Sequence, residues 1–226
     1  MPPGLFITGT DTGVGKTYVA ALIARALVAA GRRVGVYKPA ASACRCEEGA
    51  LVSDDALALW NAAGQPGELE RVCPQRFAAP LAPHLAAQAQ GRQLDAALLR
   101  RGLDYWQARS EVILVEGAGG LMSPLGQQAY VADLAHEFGY PLIVVSRNAL
   151  GTINQTLQTL MAAAAFHHGL TVAGVVLNSP TPANDDPSVA SNRRELSARC
   201  TCPILAEVAF GAAQFDAAVD WLSLAK

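Results

Sequence analysis

Residues 9–17 read Gly9-Thr10-Asp11-Thr12-Gly13-Val14-Gly15-Lys16-Thr17, with an aliphatic run before them and helix-favouring composition after. A glycine-rich turn that opens a helix aims backbone N–H groups and the positive end of the helix dipole at one point, which suits bound phosphates. Lys16 then reaches the β- and γ-phosphates, and the Thr17 hydroxyl faces Mg²⁺. In the common spacing the first glycine falls at position 10, where this chain has Thr10 and places Gly9 one step earlier, so the loop is a variant form. Glu116 closes a second aliphatic run, 112–116, and Gly117-Ala118-Gly119-Gly120 follows it. An acid at the carboxyl end of a central strand lies where open α/β sheets bind ligands, and it is a hard oxygen donor for Mg²⁺. Asp54 or Asp55 offers another carboxylate, although the dipole of a helix start favours either one without any ligand.

Lysine usage points the same way. Only Lys16, Lys38 and Lys226 among the 17 basic residues are lysines, the rest being arginine. Where charge merely needs solvating this chain uses arginine, so the compact ammonium of Lys38 at the end of a strand suggests a specific anion contact.

These groups need a scaffold that brings strand ends together. Nearly continuous apolar runs at 5–8, 34–38, 112–116, 142–146 and 172–178 read as strands buried on both faces, as in a parallel sheet. Helical compositions at 17–30, 54–63, 94–109, 131–138, 152–168 and 188–199 alternate with them, and a last helix is expected over 212–224. The pattern predicts an α/β fold: a doubly wound, mainly parallel sheet of the P-loop NTPase type with helices on both faces. Turn-forming residues mark loops at 64–67, 79–83 and 179–187. No repeat or linker divides the chain, so residues 1–226 are expected to form a single domain.

Composition excludes several classes of function. With 51% apolar and 16% charged residues and a net charge of −2, the chain lacks the basic footprint of a nucleic-acid binder. The apolar stretch at 18–30 contains Arg25 and falls short of the roughly 20 residues of a membrane span. Residues 1–9 carry no secretory signal pattern, and the expected location is cytoplasmic. Cys44, Cys46, Cys73, Cys200 and Cys202 are too scattered for a disulfide framework, and the two C-x-C pairs are too tight for zinc. Reduced thiols are the expectation.

Taken together, the motifs resemble the dethiobiotin synthetase family. The matching segments are residues 9–17, Tyr37-Lys38-Pro39-Ala40-Ala41-Ser42, Asp54-Asp55-Ala56-Leu57, the run from Phe77 to His84, Val115-Glu116-Gly117-Ala118-Gly119-Gly120 and Leu150-Gly151-Thr152-Ile153-Asn154, in family order. The resemblance implies an ATP-dependent ligase that carboxylates 7,8-diaminononanoate with CO2 and closes a ureido ring, with ATP as co-substrate and Mg²⁺ as cofactor. It implies that Gly13, Val14, Gly15, Lys16, Thr17 and the adjoining Tyr18 cradle the triphosphate, with Gly117, Ala118 and Gly119 beside them. Thr17, Asp55 and Glu116 would hold Mg²⁺. Lys38, Lys16 and Thr12 would be catalytic, Lys38 contacting the carbamate and the phosphoryl group and Thr12 the carbamate. Ser42 would bind the diamino acid, and Asn178 with Ser179 would read the adenine. The helix start at Gly151, Thr152 and Asn154 would reach across a homodimer to the substrate carboxylate, again an anion at a helix N-terminus.

A competing reading is a nucleotide-switched ATPase of the partitioning type. Such proteins carry a lysine early in the loop, where this chain has Asp11. Nor does Asn178-Ser179-Pro180-Thr181 match the base-reading motif of a GTPase.

Overall fold

The structure, a computed structural model, describes residues 1–182 and 186–226; of the expected loop 179–187, residues 183–185 lie outside the described residues. Strand β1 (Gly4–Gly9) runs into the glycine loop and helix α1 (Lys16–Ala29), followed by β2 (Val34–Tyr37). Short pieces come next: β3 (Ala40–Ala41), the hairpin β4 (Arg45–Glu47) and β5 (Ala50–Val52), α2 (Asp54–Ala62), α3 (Leu69–Val72), β6 (Gln75–Arg76) and α4 (Pro83–Ala89). Regular alternation then resumes with α5 (Ala96–Gln107), β7 (Val112–Glu116), α6 (Val131–Phe138), β8 (Leu142–Arg147), α7 (Thr152–Ala165) and β9 (Val172–Asn178). The chain ends with α8 (Val189–Ser197), β10 (Ile204–Val208) and α9 (Trp221–Leu224).

Six strands form one parallel sheet in the order β10-β9-β8-β1-β7-β2. Every residue of β1 and β7 is buried, which accounts for their unbroken apolar sequence. Tyr37 pairs with Val115, so the next residues along the two strands, Lys38 and Glu116, come out of the sheet abreast. That register places a lysine beside a carboxylate that is far away in sequence.

Tyr37 fixes the end of β2. It is fully buried, and its hydroxyl donates to the carbonyls of Leu98 (3.1 Å) and Leu99 (2.9 Å) in α5. The helix can approach this closely because residue 102 is glycine: a Cβ there would lie 2.1 Å from the Tyr37 hydroxyl oxygen. Gly102→Ala is therefore expected to destabilise the protein by about 1–3 kcal/mol through overpacking. A urea midpoint unchanged from the parent would contradict that packing.

Two expectations need correction. The helix expected over 212–224 is only its last turn, Trp221–Leu224. Asp216 N–H donates to the Glu207 carbonyl (3.1 Å), and the Asp216 carboxylate accepts from Glu207 N–H (2.6 Å). Those groups tie the segment to the sheet edge in place of an intrahelical ladder. The strand β10 itself was not expected; it is an edge strand with mixed burial, so its sequence lacks the continuous apolar run of its neighbours.

Candidate active site

The glycine loop wraps the start of α1. Gly15 caps the helix at φ 90° with no side-chain hydrogen bond, so the first-turn N–H groups are not satisfied by a cap. Lys16 folds back over the loop, its Nζ donating to the Asp11 carbonyl at 3.1 Å. Burial is the main influence on Lys16 and holds its pKa below the usual lysine value against the opposing charge of Glu116.

Beside the loop, Lys38 Nζ lies 2.5 Å from both Glu116 Oε1 and Asp55 Oδ2, and the Thr17 hydroxyl donates to Glu116 Oε1 at 2.8 Å. Burial would lower the Lys38 pKa, but the two carboxylates more than offset it and push it above the ordinary range. For Asp55, burial acts upward and the Lys38 ammonium outweighs it, leaving the carboxyl below its usual value. Asp55 reaches this position because the Ser53 hydroxyl caps α2, accepting from Ala56 N–H at 3.2 Å. Its neighbour Asp54 turns away and pairs with Arg45 at 2.6 Å. The residue pattern alone leaves these two acids undistinguished, the family resemblance points to Asp55, and in the structure it is Asp55 that turns toward Lys38.

Glu116 is 1% exposed, and its second oxygen, Oε2, has no hydrogen-bond partner. An unpartnered buried carboxylate oxygen beside a hydroxyl and a second carboxylate is a hard-oxygen donor set of the kind Mg²⁺ takes. Thr17, Asp55 and Glu116 fit that ion.

These groups open on a cavity of about 750 Å³. It gathers Thr12, Gly13, Gly15, Lys16, Thr17, Tyr18, Lys38, Ser42, Asp55, Glu116, Ala118 and Gly119. Val14 and Gly117 stand behind it, buried. Gly119 has φ +72° and a Cβ there would meet Ser123 Oγ at 2.3 Å, while that same oxygen accepts from Gly120 N–H at 2.8 Å. Tyr18 is held by its hydroxyl to the Ala212 carbonyl at 2.7 Å.

Other expected site residues lie elsewhere. Asn178 is buried beneath the loop and donates one Nδ2 hydrogen to the Val14 carbonyl at 2.8 Å, which leaves its second N–H and its carbonyl oxygen for a base. Ser179 lines a separate hollow of about 240 Å³ with Arg147 and Thr181. Gly151, Thr152 and Asn154 start α7 outside both cavities. The cavity wall also includes residues the sequence did not single out: Cys44, Ser53, Pro80, Leu81, Pro83 and Ser123. Apart from the family-like run 77–84, none carried a motif signal.

The segment 43–49 supplies Ala43 and Cys44 to the wall and then turns through Glu48 (φ 48°) and Gly49 (φ 83°) into β5. Two consecutive positive φ values suit a tight two-residue hairpin. All five cysteines are free. Burial raises the Cys44 thiol and pushes the Cys73 thiol up to about 12, whereas Cys46 is exposed on the hairpin. Iodoacetamide at pH 8 should alkylate Cys46 first and leave Cys73 intact until urea is added. Peptide mass spectrometry showing Cys73 modified in the native protein would contradict its burial.

A parallel sheet with a glycine loop opening α1, and with lysine and carboxylates converging at the strand ends, defines the P-loop nucleotide-dependent class. A family profile described as an AAA domain matches residues 3–212. Among solved structures, the signal recognition particle receptor FtsY of Elizabethkingia anophelis superposes with a TM-score of 0.51 at 16% identity, covering 99% of this chain and 64% of that one; the likeness is one of fold. The ATP-dependent dethiobiotin synthetase BioD of Anaeromyxobacter dehalogenans (strain 2CP-C) is 46% identical over 194 residues, 86% of this chain and 84% of that protein. Those of Rhodopirellula baltica and Bacillus cereus (strain B4264) are each 39% identical, over 90% and 94% of this chain and 82% and 85% of their own lengths. The chain belongs to the family of ATP-dependent dethiobiotin synthetases, ligases that form C–N bonds.

Proposed function

We propose that this protein, acting as one catalytic domain, joins CO2 to an amine of 7,8-diaminononanoate at the expense of ATP and closes the ureido ring of dethiobiotin. The observation that carries the reading is the cavity in which Lys38 lies 2.5 Å from Glu116 and from Asp55, with Lys16, Thr17 and Ser42 on the same wall. The amine adds to CO2 and loses a proton, giving a carbamate. A carbamate oxygen then attacks the γ-phosphorus as ADP leaves, forming a mixed anhydride. Finally the second amine attacks the carbonyl carbon, phosphate departs, and the ring is closed.

Phosphoryl transfer asks a protein chiefly to position groups and neutralise charge. Lys16 and the loop N–H groups from Gly13 to Thr17 hold the triphosphate. Lys38 lines the same cavity as that loop and Ser42, and there its ammonium neutralises a carbamate and the phosphoryl oxygens. Thr12 orients the carbamate, and Ser42 holds the diamino acid. Asn178, through its carbonyl oxygen and its remaining N–H, and Ser179 serve the base, with Gly117, Ala118 and Gly119 flanking the nucleotide. Mg²⁺, held by Thr17, Asp55 and Glu116, supplies positive charge to the triphosphate when bound.

A homodimer completes the site in this reading. Leu150 and Met161 are 85% and 71% exposed on the α7 side of the molecule, an apolar surface that suits a second copy of the chain. Gly151, Thr152 and Asn154 then meet the substrate carboxylate of the partner. Leu150→Asp with Met161→Glu is expected to yield a monomer by light scattering that binds nucleotide but turns over the diamine poorly. A dimer with undiminished turnover would contradict this arrangement. A cytoplasmic location goes with this reading, since the relatives are enzymes of a biosynthetic reaction.

The reading is tested by phosphate release from Mg-ATP with bicarbonate, with and without the diamine, and by mass spectrometry of the product. Diamine-dependent release that yields dethiobiotin is expected. Slow hydrolysis indifferent to the diamine would overturn it.

A further inference from the structure

The catalytic reading leaves Ser146, with the hydroxyls of Thr10 and Thr156 beside it, without a role. Ser146, at the end of β8, is fully buried, and its Oγ lies 2.8 Å from Thr152 Oγ1, 2.8 Å from Thr156 Oγ1 and 3.4 Å from Thr10 Oγ1. Thr152 and Thr156 are 1% and 0% exposed and stand one turn apart on α7. Thr10 opens the phosphate loop, and its N–H donates to the Val145 carbonyl at 3.0 Å, so the loop and the end of β8 are tied by backbone as well.

A serine hydroxyl has one proton to give and two lone pairs. Three hydroxyl neighbours saturate it: it donates to one and accepts from two. Ser146 therefore links Thr10 to Thr152, and a reorientation of either hydroxyl is passed to the other through it. Packing alone does not require this arrangement, since valine in place of the threonines would fill the same volume without polar atoms. What the hydroxyls connect is specific: one end is the first residue of the phosphate loop, and the other is the first residue of α7. The α7 start has a glycine cap, Gly151 at φ 96°, with no side-chain hydrogen bond.

We propose that Ser146 is a positioning residue that couples the phosphate loop to the first turn of α7, so that nucleotide binding and diamine binding alter each other's affinity. The inference rests on the functional reading above, in which that turn meets the substrate carboxylate. If the turn serves the partner's site, the coupling runs between subunits.

The test is a binding cycle by calorimetry with Mg²⁺ and the β,γ-imido analogue of ATP, measured with and without saturating 7,8-diaminononanoate. In the parent protein the diamine should change the analogue's Kd by roughly fivefold or more, the lower range of energetic coupling between sites. In Ser146→Ala that factor should fall toward one while each ligand alone binds within about threefold of the parent, because coupling and intrinsic affinity are separate quantities. Should Ser146→Ala not fold, Thr10→Val cuts the same route at its partly exposed end and should give the same loss. Thr156→Val removes the arm that leads only deeper into the helix, and it should keep the coupling.

An unchanged factor in Ser146→Ala or in Thr10→Val would overturn the proposal. So would an equal loss in Thr156→Val, which would mean that the effect does not run along the route from Thr10 through Ser146 to Thr152. A parent protein that does not bind the diamine overturns the functional reading and this inference with it. Intact diamine-dependent phosphate release together with an unchanged factor in Ser146→Ala overturns this inference alone.

Discussion

Lys38→Ala is expected to lower kcat for diamine-dependent phosphate release by on the order of 10²–10³, the loss seen when one preorganised donor to developing charge is removed from a buried site. The ammonium is positioned by two carboxylates at 2.5 Å in the cavity that Lys16 and Ser42 also line, whereas Lys16 Nζ is held back on the loop by the Asp11 carbonyl at 3.1 Å. Stability falls as well. The Lys38–Glu116 pair is buried at both ends, with side chains 5% and 1% exposed, and deleting one partner of such a pair costs about 3–5 kcal/mol because the other charge is left uncompensated. Asp55, half-exposed at 46%, adds little to that loss because water screens it. Lys38→Met, which keeps the apolar stem, separates the two effects: its urea midpoint should exceed that of Lys38→Ala while its kcat stays equally low. Lys38→Arg should not restore turnover, since a planar fork cannot occupy the place of a compact ammonium between two carboxylates. Near-parental kcat in either the alanine or the methionine variant would remove Lys38 from the chemistry.

The behaviour of Lys38 also shows how far a sequence can be read. Its presence at a strand end was legible because lysine is rare in this chain and because β2 is a continuous apolar run. Its partner was not, since the pairing of Tyr37 with Val115 is a property of the sheet register that no local pattern encodes. Buried strands were the most legible elements throughout: β1, β2, β7, β8 and β9 advertise themselves by unbroken aliphatic composition. β10 was illegible because an edge strand with one face partly exposed looks like a loop, and the segment 212–220 was misread because its backbone bonds to that strand. The acids 54 and 55 look equivalent in local pattern, and only the family resemblance separates them; on the helix that Ser53 caps, Asp55 faces Lys38 and Asp54 faces Arg45. Much of the outer cavity wall, including Cys44, Ser53 and Ser123, is composed of small residues in the segments between short elements, whose positions only tertiary packing fixes.

The glycine loop permits a sharper test, because its two inner glycines differ in what surrounds them. Gly13 and Gly15 both have positive φ, +75° and +90°. An L-residue in the left-handed region costs roughly 1–2 kcal/mol, and this applies to both. A Cβ at Gly13 meets nothing within 4 Å, whereas at Gly15 it would lie 2.1 Å from Asn178 Nδ2. That nitrogen cannot move aside cheaply: Asn178 is 1% exposed, and its amide holds the Val14 carbonyl at 2.8 Å. Gly15→Ala must therefore break a buried hydrogen bond as well as strain the backbone, and an unsatisfied buried polar group adds about 1–3 kcal/mol. The rupture falls on the loop itself, so the N–H groups that face the phosphates lose their alignment together. Nucleotide affinity, followed with a fluorescent ATP analogue, is expected to become undetectable in Gly15→Ala and to fall only about tenfold in Gly13→Ala, the equivalent of about 1.4 kcal/mol. Removing the obstructing amide provides the internal control. Asn178→Ala in the Gly15→Ala background should recover part of the folding stability, so the pair should be strongly non-additive, as contacting residues are. Equal losses in the two glycine variants, or strict additivity with Asn178→Ala, would mean that Asn178 does not brace the phosphate loop.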